Sequence, residues 1–526
     1  MANKSLFKGS RPTIPVHNAI NEAGGEAYYM GDKHALAQYV ITGTFNGTYY
    51  ASADEQLDAV KHLCDKVDDE FLAKCAIYAR IKGKMKDTPA YLCAVLATRN
   101  TTLLERVFPI VINNGKMLAN FVQIIRSGVV GRKSFGTALK RIINNWMNKR
   151  DAAKLFETSI GVSSPSITDV IKMTHPRPED SEHNALYAYL IDKEFDLLSL
   201  PENLRGYLAF KNGDTKQVPS VPFQLLTSLP LGTSEWTEIA KNAPWNMTRM
   251  NLNTFTRHGV FNDKKIVKLI AERLCNPELV RQSNAFPYQL LTAYQNTTDV
   301  PQEIRNALQD AMELATYNIP SINGNVVVAV DISGSMTGPV TGYGDGSTTR
   351  TRCMDVAGMF ASCLLRVNQN NLKVVSFDTR ARFVELNPRD SVPTNVEKIL
   401  RSGGGGTDCS AALRLLSDQR ERADVVIYIS DNMSWRHFNG TQSQAWVEFN
   451  RYNKSSKLVC MDLQPYSTVQ TPDSNRVLNV GGFSDSVFEV IANFVNGGNA
   501  GFVKTIEDMT IGRPVYPLLL EVGLQE

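Results

Sequence analysis

The run Asp331-Ile332-Ser333-Gly334-Ser335 carries an oxygen-bearing side chain at every second position. If a strand ends there, Asp331, Ser333 and Ser335 point to one place beyond the carboxyl edge of a sheet, where open α/β sheets bind their ligands. Two further oxygen-bearing stretches, Gly405-Gly406-Thr407-Asp408 and Ile429-Ser430-Asp431, fall where other strands and turns reach that edge. Carboxylates and hydroxyls without His or Cys suit a hard octahedral cation such as Mg²⁺, which leaves one position open. A lone Asp-x-Ser-x-Ser run also serves as a turn or a helix cap. Three such stretches in this order favour the cation. A phosphate loop is excluded, because Gly403 to Gly406 is not followed by Gly-Lys-Ser/Thr and no GxGxxG follows the first strand. These glycines instead let the backbone approach a metal.

The elements that must hold these residues are legible after Pro320. Asn325 to Ile332 is a continuous β-branched run, the mark of a strand buried on both faces. Further strands are expected at Leu372 to Phe377, Phe383 to Leu386, Asp424 to Ser430, Leu458 to Leu463 and Val477 to Val480. Helices are expected at Arg352 to Val367, Val396 to Leu400, Ser410 to Arg420, Gln444 to Tyr452 and Asp485 to Val495. This alternation specifies a doubly wound, mostly parallel sheet. The Gly-, Ser- and Thr-rich stretch Thr337 to Thr349 reads as a mobile surface loop.

From Gln56 to about Thr316 the apolar period is that of helices, as in Phe71, Cys75, Ala76 and Ala79. Breaks are expected at Lys86 to Pro89, Phe108-Pro109, Ser163 to Ser166 and the later prolines, and no strand alternation is evident. Single apolar stripes on so many helices are buried by stacking antiparallel pairs into a solenoid or ring. The domains are therefore set at 1–320 and 321–526, with the extreme N-terminal segment and the tail Phe502 to Glu526 packing back across the boundary.

Over 526 residues the net charge is only +3, so no global bias announces a nucleic-acid or membrane partner. The bias is local. Residues 1–320 hold 37 Lys+Arg against 32 Asp+Glu, and residues 101–150 hold nine basic residues with Glu105 the one acid. Within that stretch Lys133, Lys140 and Arg141 are expected to share a helix face, with Leu139, Ile142, Ile143 and Trp146 opposite. Such a face neutralises phosphates, or else is a solvated stripe paired with acids. Tyr49 and Tyr50 are open to base stacking or to core packing. No apolar run reaches the ~18 residues of a membrane span. The first fifteen residues lack the apolar core of a signal peptide, and eight scattered cysteines without CxxC read as reduced thiols, which together point to the cytoplasm.

Taken together, the metal constellation resembles the metal-ion-dependent adhesion site of the von Willebrand factor A domain. That resemblance implies Asp331, Ser333, Ser335, Thr407 and Asp431 as direct or water-mediated ligands, with an acidic group of a partner in the open position. The helical half is similar to the TROVE module of the Ro autoantigen family. The likeness is carried by Gly43 to Tyr50, Ala76-Ile77-Tyr78-Ala79-Arg80, Lys84 to Ala90, Gly131-Arg132-Lys133 with Trp146, Asp169 to Pro176, Met250-Asn251-Leu252 and Phe286 to Tyr294. It departs where family members often have Trp-Gly-Arg and this chain has Val130-Gly131-Arg132.

The family resemblance implies a ring of HEAT-like helical repeats closed by the A domain, α plus α/β in class. It implies Y RNA-like small noncoding RNA on a basic outer surface and single-stranded 3′ ends of misfolded RNA in a central hole. Bacterial relatives tether a 3′ exoribonuclease such as polynucleotide phosphorylase. Carried over, Arg132, Lys133, Lys140 and Arg141 are phosphate contacts, while Lys172 and His175 lie near the hole. From the residues alone His175 is equally a helix C-terminal His ahead of Pro176. The function expected is a noncatalytic, monomeric RNA-binding scaffold for RNA quality control. A protein-interaction module gripping a carboxylate through the metal is the alternative. A metal-dependent phosphoryl-transfer enzyme is disfavoured, since no nucleophile and base pair or second carboxylate cluster is evident.

Overall fold

The computed structural model describes residues 14–512, apart from 160–164, 284, 286, 317–318, 345–350, 402, 436–439, 485 and 498–500. The opening segment before residue 14, the tail beyond 512 and the later part of the Thr337 to Thr349 loop lie outside the described residues. Two compact units result, and they do not follow a single cut near residue 320. The described residues up to Lys66 group with Thr316–Asp508, and Val67–Ala315 form the other unit.

Every regular element described in Val67–Ala315 is helical, from Asp69–Ile81 to Gln302–Ala315. The sequence places caps where the helices begin. Asp68, Asn100, Asn114 and Asp180 each accept the backbone N–H three residues on, and Ser166 with Asp169 forms a reciprocal capping box. Helix ends are tied to neighbouring helices by Trp and Arg donors to backbone carbonyls as well as by ion pairs such as Arg99–Asp69 at 2.8 Å. The Trp146 indole donates to Ile112 O and that of Trp245 to Leu274 O at 3.0 Å. Arg150 lies 3.8 Å over the Trp146 ring and donates to Asn113 O at 2.7 Å, while Arg249 donates to Gln289 O at 3.0 Å. Burial pushes both guanidinium groups down to about 10.

Two expectations fail in this unit. Phe108-Pro109 does not itself mark the break: Pro109 falls in the last turn of Thr101–Val111, and the helix ends two residues later. Lys133 does not share a helix face with Lys140 and Arg141. The helix carrying those two is Thr137–Asn148, and Lys133 sits in the preceding turn, its stem folded over Gly128, which has φ 82°.

The other unit is built on a six-stranded sheet. Its strands are β3 (Val326–Asp331), β4 (Leu372–Phe377), β5 (Ala381–Val384), β6 (Val425–Ser430), β7 (Lys457–Asp462) and β9 (Val477–Gly481). The order is β5-β4-β3-β6-β7-β9, all parallel except the edge strand β5. β3 and β6 are buried at every position, as helices cover both faces. On one face Ala329, Phe377, Tyr428 and Cys460 pack with Leu413, Trp446 and Phe449.

Residues ahead of Lys66 join this unit through the small sheet of β1 (Ala19–Ile20), β2 (Glu26–Tyr29) and β8 (Thr468–Val469), and through helix Asp32–Thr42, which packs on β9. The described start of the Thr337 to Thr349 loop is anchored rather than loose. Thr44 Oγ1 and Asn46 Nδ2 both donate to Thr341 O, at 2.6 and 2.9 Å, and Gly47 pairs with Tyr343. All eight cysteines are free thiols, and only Cys275 is not fully buried. Among the described residues no helix is long and apolar enough to cross a membrane.

Candidate metal centre and basic surface

Strand order makes the metal constellation. β3 and β6 are neighbours from which the chain leaves in opposite directions along the sheet, so the loops at their carboxyl ends part and leave a crevice. Asp331 ends β3, Asp431 follows β6, and Ser333, Ser335 and Thr407 come from the adjoining loops. All five are buried. Asp331 Oδ1 accepts the Ser333 N–H at 2.9 Å, and Oδ2 accepts the Ser430 hydroxyl at 2.6 Å. Ser333 Oγ lies 3.3 Å from Ser335 Oγ, and the Ser335 hydroxyl bonds to Asp431.

The glycine loop closes on this site as expected. Gly334 N–H donates to Gly405 O and Gly404 N–H to Ile332 O, both at 2.9 Å. A Cβ on Gly403 would lie 2.5 Å from Ile332 O, so no larger residue fits without a shift. Asp408, although quoted with this loop, turns inward and accepts from Ser410 N–H and Oγ at 2.9 and 2.6 Å.

Burial, then the neighbouring Asp431, pushes the Asp331 carboxyl up to about 7, and burial raises that of Asp431 as well. Hydroxyls and backbone amides are what oppose these shifts, and no basic side chain contributes. Two buried carboxylates side by side without a cationic partner, ringed by hydroxyl oxygens, fit a hard divalent cation. Two contributors escaped the sequence reading of this centre. Ser430 was noted as oxygen-bearing but not as the group that orients Asp331. Tyr50, far away in sequence, brings its hydroxyl to Ser335, and burial followed by Asp431 pushes its phenol up to about 12. Its ring packs 6.3 Å from that of Tyr466, so Tyr50 is partly core, whereas Tyr49 is 55% exposed.

The six candidate RNA contacts all lie in the helical unit, on three neighbouring stretches. Arg132 is committed to backbone, donating to Ser134 O at 2.7 Å and Ala97 O at 3.0 Å. Lys133 is exposed. On Thr137–Asn148, Arg141 pairs with Glu105 at 3.2 Å and Lys140 is half-buried. Lys172 and His175 lie on and just after Ile167–Thr174 and are exposed, His175 being the C-cap at φ 51°. These two helices are joined by Asn144, whose amide donates to Thr174 O at 3.2 Å. The structure thus bonds the helix that carries Lys140 and Arg141 to the helix that carries Lys172 and ends at His175, and commits Arg132 to backbone carbonyls.

The chain matches the family model of the Ro60 vWA domain over residues 325–495 and that of the TROVE domain over residues 231–350. It is similar to the RNA-binding protein RO60 of Deinococcus radiodurans, 24% identical over 519 residues that cover 91% of this chain and 95% of that protein. It is also similar to the RNA-binding protein RO60 of Caenorhabditis elegans, at 20% identity, with 91% and 90% covered. Among solved structures, the crystal structure of the Deinococcus radiodurans RO (RSR) protein superposes with a TM-score of 0.64 at 20% identity, covering 89% of this chain and 100% of that one. Fold and site define a class, a helical-repeat module in one chain with an A-type α/β domain. The chain matches a TROVE domain followed by a Ro60-type von Willebrand factor A domain and is similar to RO60 proteins over nine-tenths of its length.

Proposed function

We propose that the protein is a noncatalytic RNA-binding scaffold of the Ro type, acting as a cytoplasmic monomer. In this reading Y RNA-like noncoding RNA docks on the basic surface of the helical unit. Single-stranded 3′ ends of misfolded or 3′-extended RNA enter the central hole implied by the family resemblance, for quality control or for delivery to a 3′ exoribonuclease such as polynucleotide phosphorylase. The observation that carries the reading is a group of lysines without a direct acidic partner. Lys133, Lys140 and Lys172 make no ion pair among the described residues; Lys133 lies in the turn before helix Thr137–Asn148, which carries Lys140, and that helix is bonded to the one that carries Lys172. Structured RNA is read largely through phosphate and 2′-hydroxyl contacts, and single strands through basic grooves, so such a surface suffices without catalytic groups. The relatives named for RNA binding support it.

Mg²⁺ held by Asp331, Ser333, Ser335, Thr407 and Asp431 would supply an open coordination position for an acidic group. A second reading, a protein-interaction module built on that site, is favoured by the exposed aromatic residues Tyr49 and Trp435 next to it. Crosslinking in cells followed by sequencing tests the first reading. Recovery of a small structured RNA with a free 3′ strand, lost when Lys133, Lys140, Arg141 and Lys172 are changed to Ala, is the expected result. Recovery of no RNA above that variant's background overturns it, and RNA turnover by the purified protein contradicts the noncatalytic part.

A further inference from the structure

One strand beyond the metal centre lies a second set of buried oxygens. The register aligns Val330 with Ile429 and Ser430 with Asp462, so Asp331, Ser430 and Asp462 stand in one row on the same sheet face. At about 4.8 Å per strand, the backbone of Asp462 is about 10 Å from that of Asp331. Asp462 accepts from Asn432 Nδ2 at 3.5 Å, and Gln470 Nε2 donates to Asn432 O at 3.1 Å. The next residue, Thr471, donates through its hydroxyl to Gln442 Oε1 at 2.8 Å. Gln442 in turn lies against Cys460 Sγ at 3.8 Å, two residues before Asp462 on the same strand. Asn479 is register-paired with Cys460 and donates to Thr471 O at 3.0 Å. These contacts close on themselves.

The side chains in this loop of contacts are no more than 4% exposed, yet four of their polar atoms have no partner among the described residues. They are Asp462 Oδ1, Gln470 Oε1, Asn479 Oδ1 and Gln442 Nε2. The amides of Gln470 and Asn479 cannot be turned round to hide the mismatch, because their NH₂ groups already donate to backbone carbonyls. Three acceptors, one of them a carboxylate, therefore stand against one donor. A buried carboxylate with one oxygen unsatisfied is unfavourable as the anion unless a cation, a proton or a further donor reaches it. Burial, then Asp431, pushes the Asp462 carboxyl well up.

We propose that this cluster is a second cation site, taking a hard cation of the Ca²⁺ type through Asp462 Oδ1 and the amide oxygens of Gln470 and Asn479. Carboxylate mixed with side-chain amide oxygens is the donor set that Ca²⁺ accepts and that the more exacting Mg²⁺ does not need. The site uses none of the five residues of the Asp331 centre.

Calcium titration of the full chain by calorimetry, with the bound ion counted by equilibrium dialysis, tests this. In Asp331→Ala, which removes the first centre, one Ca²⁺ should still bind. Adding Asp462→Asn, nearly the same shape but neutral, should weaken that binding at least tenfold while the circular dichroism spectrum is unchanged. Should the double variant not fold, Gln470→Ala in the Asp331→Ala background, which removes one of the proposed ligand oxygens, decides the matter, with an expected weakening of at least tenfold. No Ca²⁺ bound by Asp331→Ala, or an affinity indifferent to Asp462→Asn or Gln470→Ala, overturns the proposal and leaves the cluster holding water alone.

Discussion

The Ser430 hydroxyl donates to Asp331 Oδ2 at 2.6 Å and so fixes the carboxylate that ends β3 from the neighbouring strand β6. A positioning bond of this kind typically governs 10- to 100-fold of metal affinity, so Ser430→Ala should weaken Mg²⁺ or Mn²⁺ binding by about that factor. Ser430→Thr, which keeps the hydroxyl, should restore most of it. Calorimetric titration reads both. Equal affinity in wild type and Ser430→Ala would mean that the bond does not orient a ligand.

Cation binding to the folded chain alone must stabilise it. At a hundredfold excess over Kd the gain is about 2.7 kcal/mol, which appears as a raised melting temperature of the A-domain unit. Chelator should reverse it, and Asp331→Ala should abolish the response to Mg²⁺. A Mg²⁺-dependent shift that survives in Asp331→Ala would remove that residue from the site.

Trp146 is buried, donates to Ile112 O and carries Arg150 stacked on its ring. Trp146→Phe leaves most of the packing but strips the carbonyl of its donor, at a cost of about 1–3 kcal/mol. Urea unfolding monitored by circular dichroism should show a lower midpoint. A midpoint within error of wild type would show that the indole bond contributes nothing.

Ser166 lends its hydroxyl and its backbone N–H, both at 2.8 Å, to Asp169, holding that carboxyl below the usual range. A depressed folded-state value means the contribution is present above the unfolded value of about 3.9 and fades as pH falls through the folded one. Helix Ile167–Thr174, which carries Lys172, should therefore lose hydrogen-exchange protection below about pH 4. Ser166→Ala should bring Asp169 back toward its ordinary value by NMR titration and cost about 1 kcal/mol of capping. An Asp169 that titrates identically in both proteins contradicts the cap's role.

Much of the A-domain unit was legible because its strands obey one rule. A strand covered on both faces must be apolar throughout, and Val326–Asp331 and Val425–Ser430 are almost nothing else. That Asp331, Ser333 and Ser335 gather at one strand end was legible for the related reason that alternation there fixes direction. The contributions of Ser430 and Tyr50 were not, since a cross-strand bond and a hydroxyl arriving from nearly three hundred residues away leave no local pattern. The short strands β1, β2 and β8 escaped because two to four residues cannot display a period. Charge patterning misled at Lys133, where Gly128 and Gly131 at positive φ turn the chain before the helix begins. The spacing of Arg132 likewise says nothing about the carbonyl of Ala97 to which it donates.

The claim that the helical unit grips RNA by backbone charge is tested most directly by its salt dependence. Filter binding of a structured RNA with a free 3′ strand, repeated from 50 to 200 mM salt, yields the slope of log affinity against log salt. Each phosphate contact contributes about 0.7 to 0.9 to that slope, so changing Lys133, Lys140, Arg141 and Lys172 to Ala should flatten it by about 3 and weaken binding. Identical slopes and affinities for the variant and the wild type would contradict the account.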